Sequence, residues 1–140
     1  VYEHSLALCC VSPSSVLLHR SLFQECGNFD ENLPACEDYD LWLRLFSRYP
    51  VKLIEEPLVV KYGGHDDQLS RQHWGMDRFR IVALQKMLDS DHLDETQRAQ
   101  TRKMLELKCA VLIKGAEKRG HAVRAAHYRE IAEIYAGREC

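Results

Sequence analysis

Most of the chain places its apolar residues at helical spacing, and two stretches depart from it. His4 to Val11 (HSLALCCV) is a short apolar run that suits a buried strand; it stops at Ser12 and Pro13, where the missing proline N–H interrupts a ladder. Arg20 to Cys26 then carries Leu22, Phe23 and Cys26 at helical spacing before Gly27, a natural residue just past a helix end. Residues 27 to 36 (GNFDENLPAC) concentrate turn formers and read as an irregular loop, with Phe29 and Leu33 tucked back onto the core. From Glu37 to Tyr49 the steps of three and four between Leu41, Trp42, Leu45, Phe46 and Tyr49 predict one amphipathic helix, closed by Pro50. Val51 to Ile54 and Leu58 to Tyr62, separated by Glu55, Glu56 and Pro57, are the second departure: both are rich in β-branched residues and predict short strands.

Beyond Gly63, Gly64 and His65 the pattern becomes purely helical. Leu69 to Leu88 bears one stripe of Met76, Phe79, Ala83 and Met87 and another of Ile81, Leu84 and Leu88, so this helix is covered on more than one side. Asp94 followed by Gln97 resembles a capping box, and Leu105, Cys109, Leu112 and Ala116 mark a helix stopping at Gly120. A last helix carries Val123, His127, Ile131 and Ile134, completing an antiparallel helical hairpin.

Composition narrows the function classes. The 140 residues suffice for one modest core, and 19 Lys plus Arg against 21 Asp plus Glu give a net charge of −2, unlike the basic balance of a nucleic-acid binder. The longest apolar run, Leu6 to Val11, is far below the roughly 20 residues of a membrane-spanning helix. No signal-peptide pattern opens the chain, so a cytoplasmic location, free or at the membrane periphery, is expected. The six cysteines lack CxxC pairs or regular spacings, which favours reduced thiols over a disulfide framework or a structural zinc site. Val1 leads directly into an apolar segment, as in a piece of a longer protein.

Chemistry concentrates in CEDYDLWLRL, residues 36 to 45, where Glu37 and Asp38 stand at the mouth of the amphipathic helix. The helix dipole favours negative charge there by about 0.3–1 kcal/mol. An ionised carboxylate can accept a proton, but it is a weak base for an alcohol hydroxyl, so proton transfer must accompany bond formation. The same acids also suit plain helix capping. Asp40 can pair with Arg44 one turn on, and Trp42 belongs with the core side chains beside it or offers an open stacking face.

SPSSVLLHRSLF, CGNFDENLPACEDYDLWLRL and YPVKLIEEPLVVKYGGHDDQLS follow one another in an order that resembles the C-terminal half of the catalytic domain of family 2 nucleotide-sugar glycosyltransferases, over residues 4 to about 71. The resemblance implies an α/β fold: a truncated GT-A-type domain with a few short strands over residues 1–70, then a helical extension over 71–140. It implies an inverting transfer of a sugar from a nucleoside-diphosphate donor to a hydroxyl on a carbohydrate or lipid-linked acceptor. Asp38 aligns with the catalytic base and Glu37 with the acidic position before it. Ser14 and Ser15 align where the chain passes the donor sugar and acceptor, unless they do ordinary turn work. Arg71 is placed to meet a phosphate or to stand as a solvated charge. His65 aligns with a histidine that approaches the metal or the diphosphate, or is a plain loop histidine, and a divalent cation (Mg or Mn) is expected in the full-length enzyme.

Asp38, Tyr39 and Asp40 spell DxD, yet residues two apart on a helix diverge by roughly 200 degrees and would not chelate one ion. No glycine-rich phosphate loop and no nucleotide-binding strand–helix unit occurs, so the piece is expected to be inactive alone and to bind no metal by itself. Two other classes stay open: a helical protein-interaction module presenting a groove beyond residue 70, and an acid-lined binding domain without turnover. Exposed strand edges predict self-association.

Overall fold

The computed structural model describes residues 1–60, 62 and 72–137. Its regular elements are α1 (Tyr2–Ala7), a 3₁₀ turn (Pro13–Ser15), α2 (Ser21–Cys26), α3 (Glu37–Phe46), α4 (Asp77–Asp89), α5 (Glu95–Lys118) and α6 (Ala122–Ala136). Among the described residues there is no strand and no sheet. The α/β, GT-A-type architecture expected from the sequence is therefore corrected to a helical one.

Both departures from helical spacing have a physical reason for failing as strands. The predicted strand over residues 4–11 begins instead as α1, because the buried side chains are Tyr2, Ser5 and Leu6, a three–four spacing that becomes visible once Tyr2 is counted. The Ser5 amide and hydroxyl both donate to the Val1 carbonyl, at 3.0 and 3.1 Å. Residues 51–60 are all exposed, with Leu53 at 81% and Val60 at 75%. β-branched composition stabilises a strand only where a neighbouring strand takes its hydrogen bonds and covers its side chains, and the described residues supply neither.

The chain divides into two compact units, Val1–Met76 and Asp77–Cys140. In the first, Leu41, Trp42 and Leu45 of α3 form a core packed by Val11, Val16, Leu18, Leu22, Phe23 and Phe46. The indole of Trp42 stacks on Phe46 (centroids 5.9 Å apart) and meets the edge of Phe29, while Leu33 is buried, so the loop after Gly27 does fold back. Arg44 ties that loop to the helix. Its guanidinium donates to Asp40 Oδ2 at 2.8 and 3.1 Å, to the Asn28 carbonyl at 2.8 Å and to the Cys26 carbonyl. Gly27 sits between those carbonyls at φ +79°, where a Cβ would stand 3.3 Å from the Arg44 guanidinium, so both backbone and space favour glycine.

The second unit follows its sequence pattern in α4 and α5 but not in α6, where of the expected stripe Val123, His127, Ile131 and Ile134 only Ile131 is buried and the covered face is that of Ala125, Tyr128, Ile131 and Tyr135. Asp94 Oδ1 accepts the Gln97 amide at 2.7 Å and Gln97 Oε1 accepts the Asp94 amide at 3.1 Å, the reciprocal capping box that starts α5. Leu105, Cys109, Leu112 and Ala116 are buried in the packing of α5 on α6, with Ala125, Tyr128, Ile131 and Tyr135 opposite. Gly120, at φ +72°, turns the chain between them. Arg98 donates to the Leu88 and Ser90 carbonyls at 2.7 and 2.8 Å and so satisfies the end of α4. Lys108, 6% exposed, holds Asp77 at 3.0 Å together with Arg80 at 2.9 Å. Burial works to raise the Asp77 carboxyl, but these two hydrogen bonds and charges outweigh it and hold it below its ordinary value.

Candidate functional site

The acidic pair opens α3 as the sequence predicts. Helix formation there begins abruptly: Cys36, the residue before the first turn, takes the left-handed conformation at φ 63° and is buried. A non-glycine residue in that region costs about 1–3 kcal/mol and persists only where its surroundings over-determine it. Behind it, the Asp40 amide donates to the Cys36 carbonyl at 3.1 Å, and its own thiol lies 3.8 Å from the Met76 carbonyl. Glu37 and Asp38 are both half-buried.

Three side chains of this helix start reach across to the segment that leaves α1. Asp38 Oδ2 accepts the Cys9 thiol at 3.1 Å. The Tyr39 hydroxyl donates to the Leu6 carbonyl at 2.7 Å, and Trp42 Nε1 donates to the Val11 carbonyl at 2.9 Å. The other oxygen of Asp38, Oδ1, accepts the Tyr39 amide at 2.7 Å, one of the N–H groups that a helix start leaves without an internal partner. The capping reading of Asp38 is thus part of its geometry, and its second oxygen faces a side chain remote in sequence. Burial, then the hydrogen bond to Asp38 and its negative charge, push the Cys9 thiol up to about 12.

Asp40 lies apart from Asp38: it is 1% exposed and engaged by Arg44. The DxD string is therefore two carboxylates with different partners. Among the described residues no group of three or more His, Cys, Asp or Glu side chains is arranged to hold a metal ion. His65 and Arg71 lie outside the described residues. Ser14 and Ser15 are exposed in the 3₁₀ turn, where Ser15 Oγ donates to the Ser12 carbonyl at 2.8 Å and Ser14 Oγ lies 3.1 Å from Ser12 Oγ. No hydrogen bond among the described residues joins either serine to Glu37 or Asp38. Trp42, 2% exposed, is a core residue and offers no stacking face. Sequence reasoning missed Cys9, which is 29 residues from Asp38 and carries no local signal of the contact. It also missed Tyr39 and the backbone strain at Cys36. Among the described residues Cys9, Cys10, Cys26, Cys36 and Cys109 are free thiols.

The family model for glycosyltransferase-like family 2 matches residues 4–88, more than half of the chain. The chain belongs to this family. The match runs past the acidic pair and through most of α4. Among curated proteins the chain is similar to an uncharacterized glycosyltransferase of Rickettsia conorii, 36% identical over 58 residues, which are 41% of this chain and 9% of that protein. Uncharacterized glycosyltransferases of Rickettsia felis and Rickettsia bellii are each 34% identical over 58 residues, 41% of this chain and 10% and 8% of theirs. Each match thus spans a tenth or less of the relative's own length. No solved structure matches the chain. No helix of the described residues is long and apolar enough to cross a membrane.

Proposed function

We propose that this chain is part of an inverting glycosyltransferase in which Asp38 is the general base. One observation supports the reading: a half-buried carboxylate at the start of α3, held on both oxygens by donors of its own chain, in a member of this family. Each carboxylate oxygen has two lone-pair sites, so one remains on each for an incoming hydroxyl. In the displacement, the Asp38 carboxylate takes the acceptor hydroxyl proton as the acceptor oxygen bonds to the anomeric carbon. The bond from that carbon to the phosphate oxygen breaks on the opposite face, and the nucleoside diphosphate leaves with the electron pair. A single in-line step inverts the anomeric centre and needs no covalent enzyme intermediate. Glu37 adds negative charge beside the base and shapes the entrance.

The donor in this reading is a nucleotide-sugar and the acceptor a carbohydrate or a lipid-linked hydroxyl, with Ser14, Ser15 and Arg71 as substrate contacts. The described residues do not fit the Mg or Mn ion that the resemblance implies, and no step is assigned to it. His65 is the candidate ligand that the resemblance offers. The cytoplasm, free or at a membrane surface, is the location the reading expects, and inactivity of the isolated piece is part of it.

The test is release of UDP, GDP or dTDP from the corresponding nucleotide-sugars by the intact natural protein. Asp38→Asn, which keeps the size and the contact to the Tyr39 amide, is expected to lower turnover by about a thousandfold or more; general-base assistance alone contributes about 10²–10⁴. Turnover within tenfold of wild type refutes the base.

The interaction-module reading has less support. Tyr128 and Tyr135 are buried within the hairpin, although Leu107 and Val111 are exposed one turn apart on α5.

A further inference from the structure

We infer that Cys9 is a positioning residue for Asp38: its S–H aims the Oδ2 oxygen of the proposed base and leaves the remaining lone pairs for the acceptor. This rests on the reading of Asp38 above.

The geometry carries the argument. A carboxylate on a helix start can rotate about its side-chain bonds, and the Tyr39 amide, 2.7 Å from Oδ1, anchors one oxygen only. Two donors on two different oxygens define the plane of the group. The second donor is the Cys9 thiol, 3.1 Å from Oδ2. That thiol has one proton and two acceptors in reach, the carboxylate and the Val11 carbonyl at 3.3 Å; the charged acceptor is the stronger. Cys9 is itself held in place. It packs against the Leu41–Trp42–Leu45 core, and the carbonyl two residues on is fixed by Trp42 Nε1 at 2.9 Å. The base and its donor are thus carried on opposite sides of one set of contacts, and neither depends on a long flexible side chain.

The chemistry of the sulfur agrees. Burial, Asp38 and, more weakly, the neighbouring Cys10 all push the Cys9 thiol up, to about 12, against a smaller opposing effect of the Val11 backbone. The proton therefore stays on sulfur throughout the range in which an enzyme works, and Cys9 donates without acting as a nucleophile. Cys10, one residue on, is exposed and lies 3.1 Å from Ser5 Oγ, so the two adjacent thiols have different surroundings.

Two measurements on the intact natural protein test this. The first is the pH profile of iodoacetamide labelling at Cys9, read by peptide mass spectrometry. Wild type is expected to show no plateau below about pH 11, and Asp38→Asn to move the midpoint down by about one pH unit or more; an unchanged midpoint overturns the contact. The second is turnover of nucleotide-sugars by three variants. Cys9→Ser keeps a donor and is expected to retain kcat within about threefold. Cys9→Val keeps apolar bulk without a donor, and it and Cys9→Ala are expected to lose about tenfold in kcat with KM nearly unchanged. If Val matches wild type, or Ser is as poor as Ala, the role is packing and the proposal fails. The two failures are distinct. An active Asp38→Asn refutes the base and with it the positioning role, while the labelling profile still reports the contact. An inactive Asp38→Asn beside a fully active Cys9→Val refutes only the positioning role.

Discussion

The helix that carries the acidic pair and the long hairpin near the end of the chain are built from similar residues and held by different means. Helix α5 and helix α6 meet along stripes of Leu105, Cys109, Leu112 and Ala116 and of Ala125, Tyr128, Ile131 and Tyr135, with caps and turns that the same stretch of chain supplies. Helix α3 also buries a stripe, but much of what it touches has little regular structure. Its surroundings are fixed by polar tips reaching backbone: Tyr39 to Leu6, Trp42 to Val11, Arg44 to Cys26 and Asn28. The first region thus depends on a few long-range hydrogen bonds, each taken by a carbonyl at the end of a short helix or in the chain outside regular structure. The hairpin depends on many interchangeable apolar contacts. A site that must hold one carboxylate in a defined direction gains from the first arrangement, because a hydrogen bond has a direction and an apolar contact has none.

This contrast can be broken by substitution. The largest stability effect is expected for Trp42→Ala, which removes the stack on Phe46, the edge contact to Phe29 and the tie to Val11: about 3–5 kcal/mol by denaturant unfolding. Trp42→Phe isolates the polar tie and is expected to cost about 1–3 kcal/mol, with lost amide protection concentrated around residues 6–11 in hydrogen exchange. In the hairpin, Asp94→Ala removes one half of the capping box and should cost about 1 kcal/mol, with fraying confined to the start of α5.

The second region also has a pH signature. The depressed Asp77 carboxyl contributes stability that is fully present above its ordinary value of 3.8 and is lost as acid protonates it below that. Cys109 works in the opposite direction. Its thiol is raised from 9.0 to about 11, first by burial and then by Glu106, so its contribution is intact below pH 9.0 and fades between there and about 11. Thermal melts across pH should show both edges, and Cys109→Ala should shrink the alkaline one, leaving the share of Cys9, whose thiol is also raised. The smallest effect expected is on assembly. The strand edges that would drive self-association are absent among the described residues. The exposed Leu53, Ile54, Leu58 and Val60 form one stretch of apolar surface. A concentration-dependent elution volume that disappears in Leu53→Glu/Leu58→Glu would assign it to them.

Local pattern was enough for much of this molecule. The capping box at Asp94, the Asp40–Arg44 pair, the stop at Gly120, the burial of Trp42 and the placing of Glu37 and Asp38 in the first turn of a helix all follow from neighbours within four residues. Such contacts are legible because helix geometry fixes which side chains can meet. The family was legible too, since its pieces recur in order along the chain. Whether residues 51–60 form strands was not, because a strand exists only through a partner elsewhere, and composition says nothing of whether one is present. The thiol that meets Asp38 was equally out of reach: 29 residues intervene, and only folding α1 against α3 brings sulfur and carboxylate to hydrogen-bond distance. Residue order alone therefore settled the helices from α2 onward and the location of the acids, but not α1. Tertiary structure decided which atoms those acids face, since such contacts depend on the packing of segments remote in sequence.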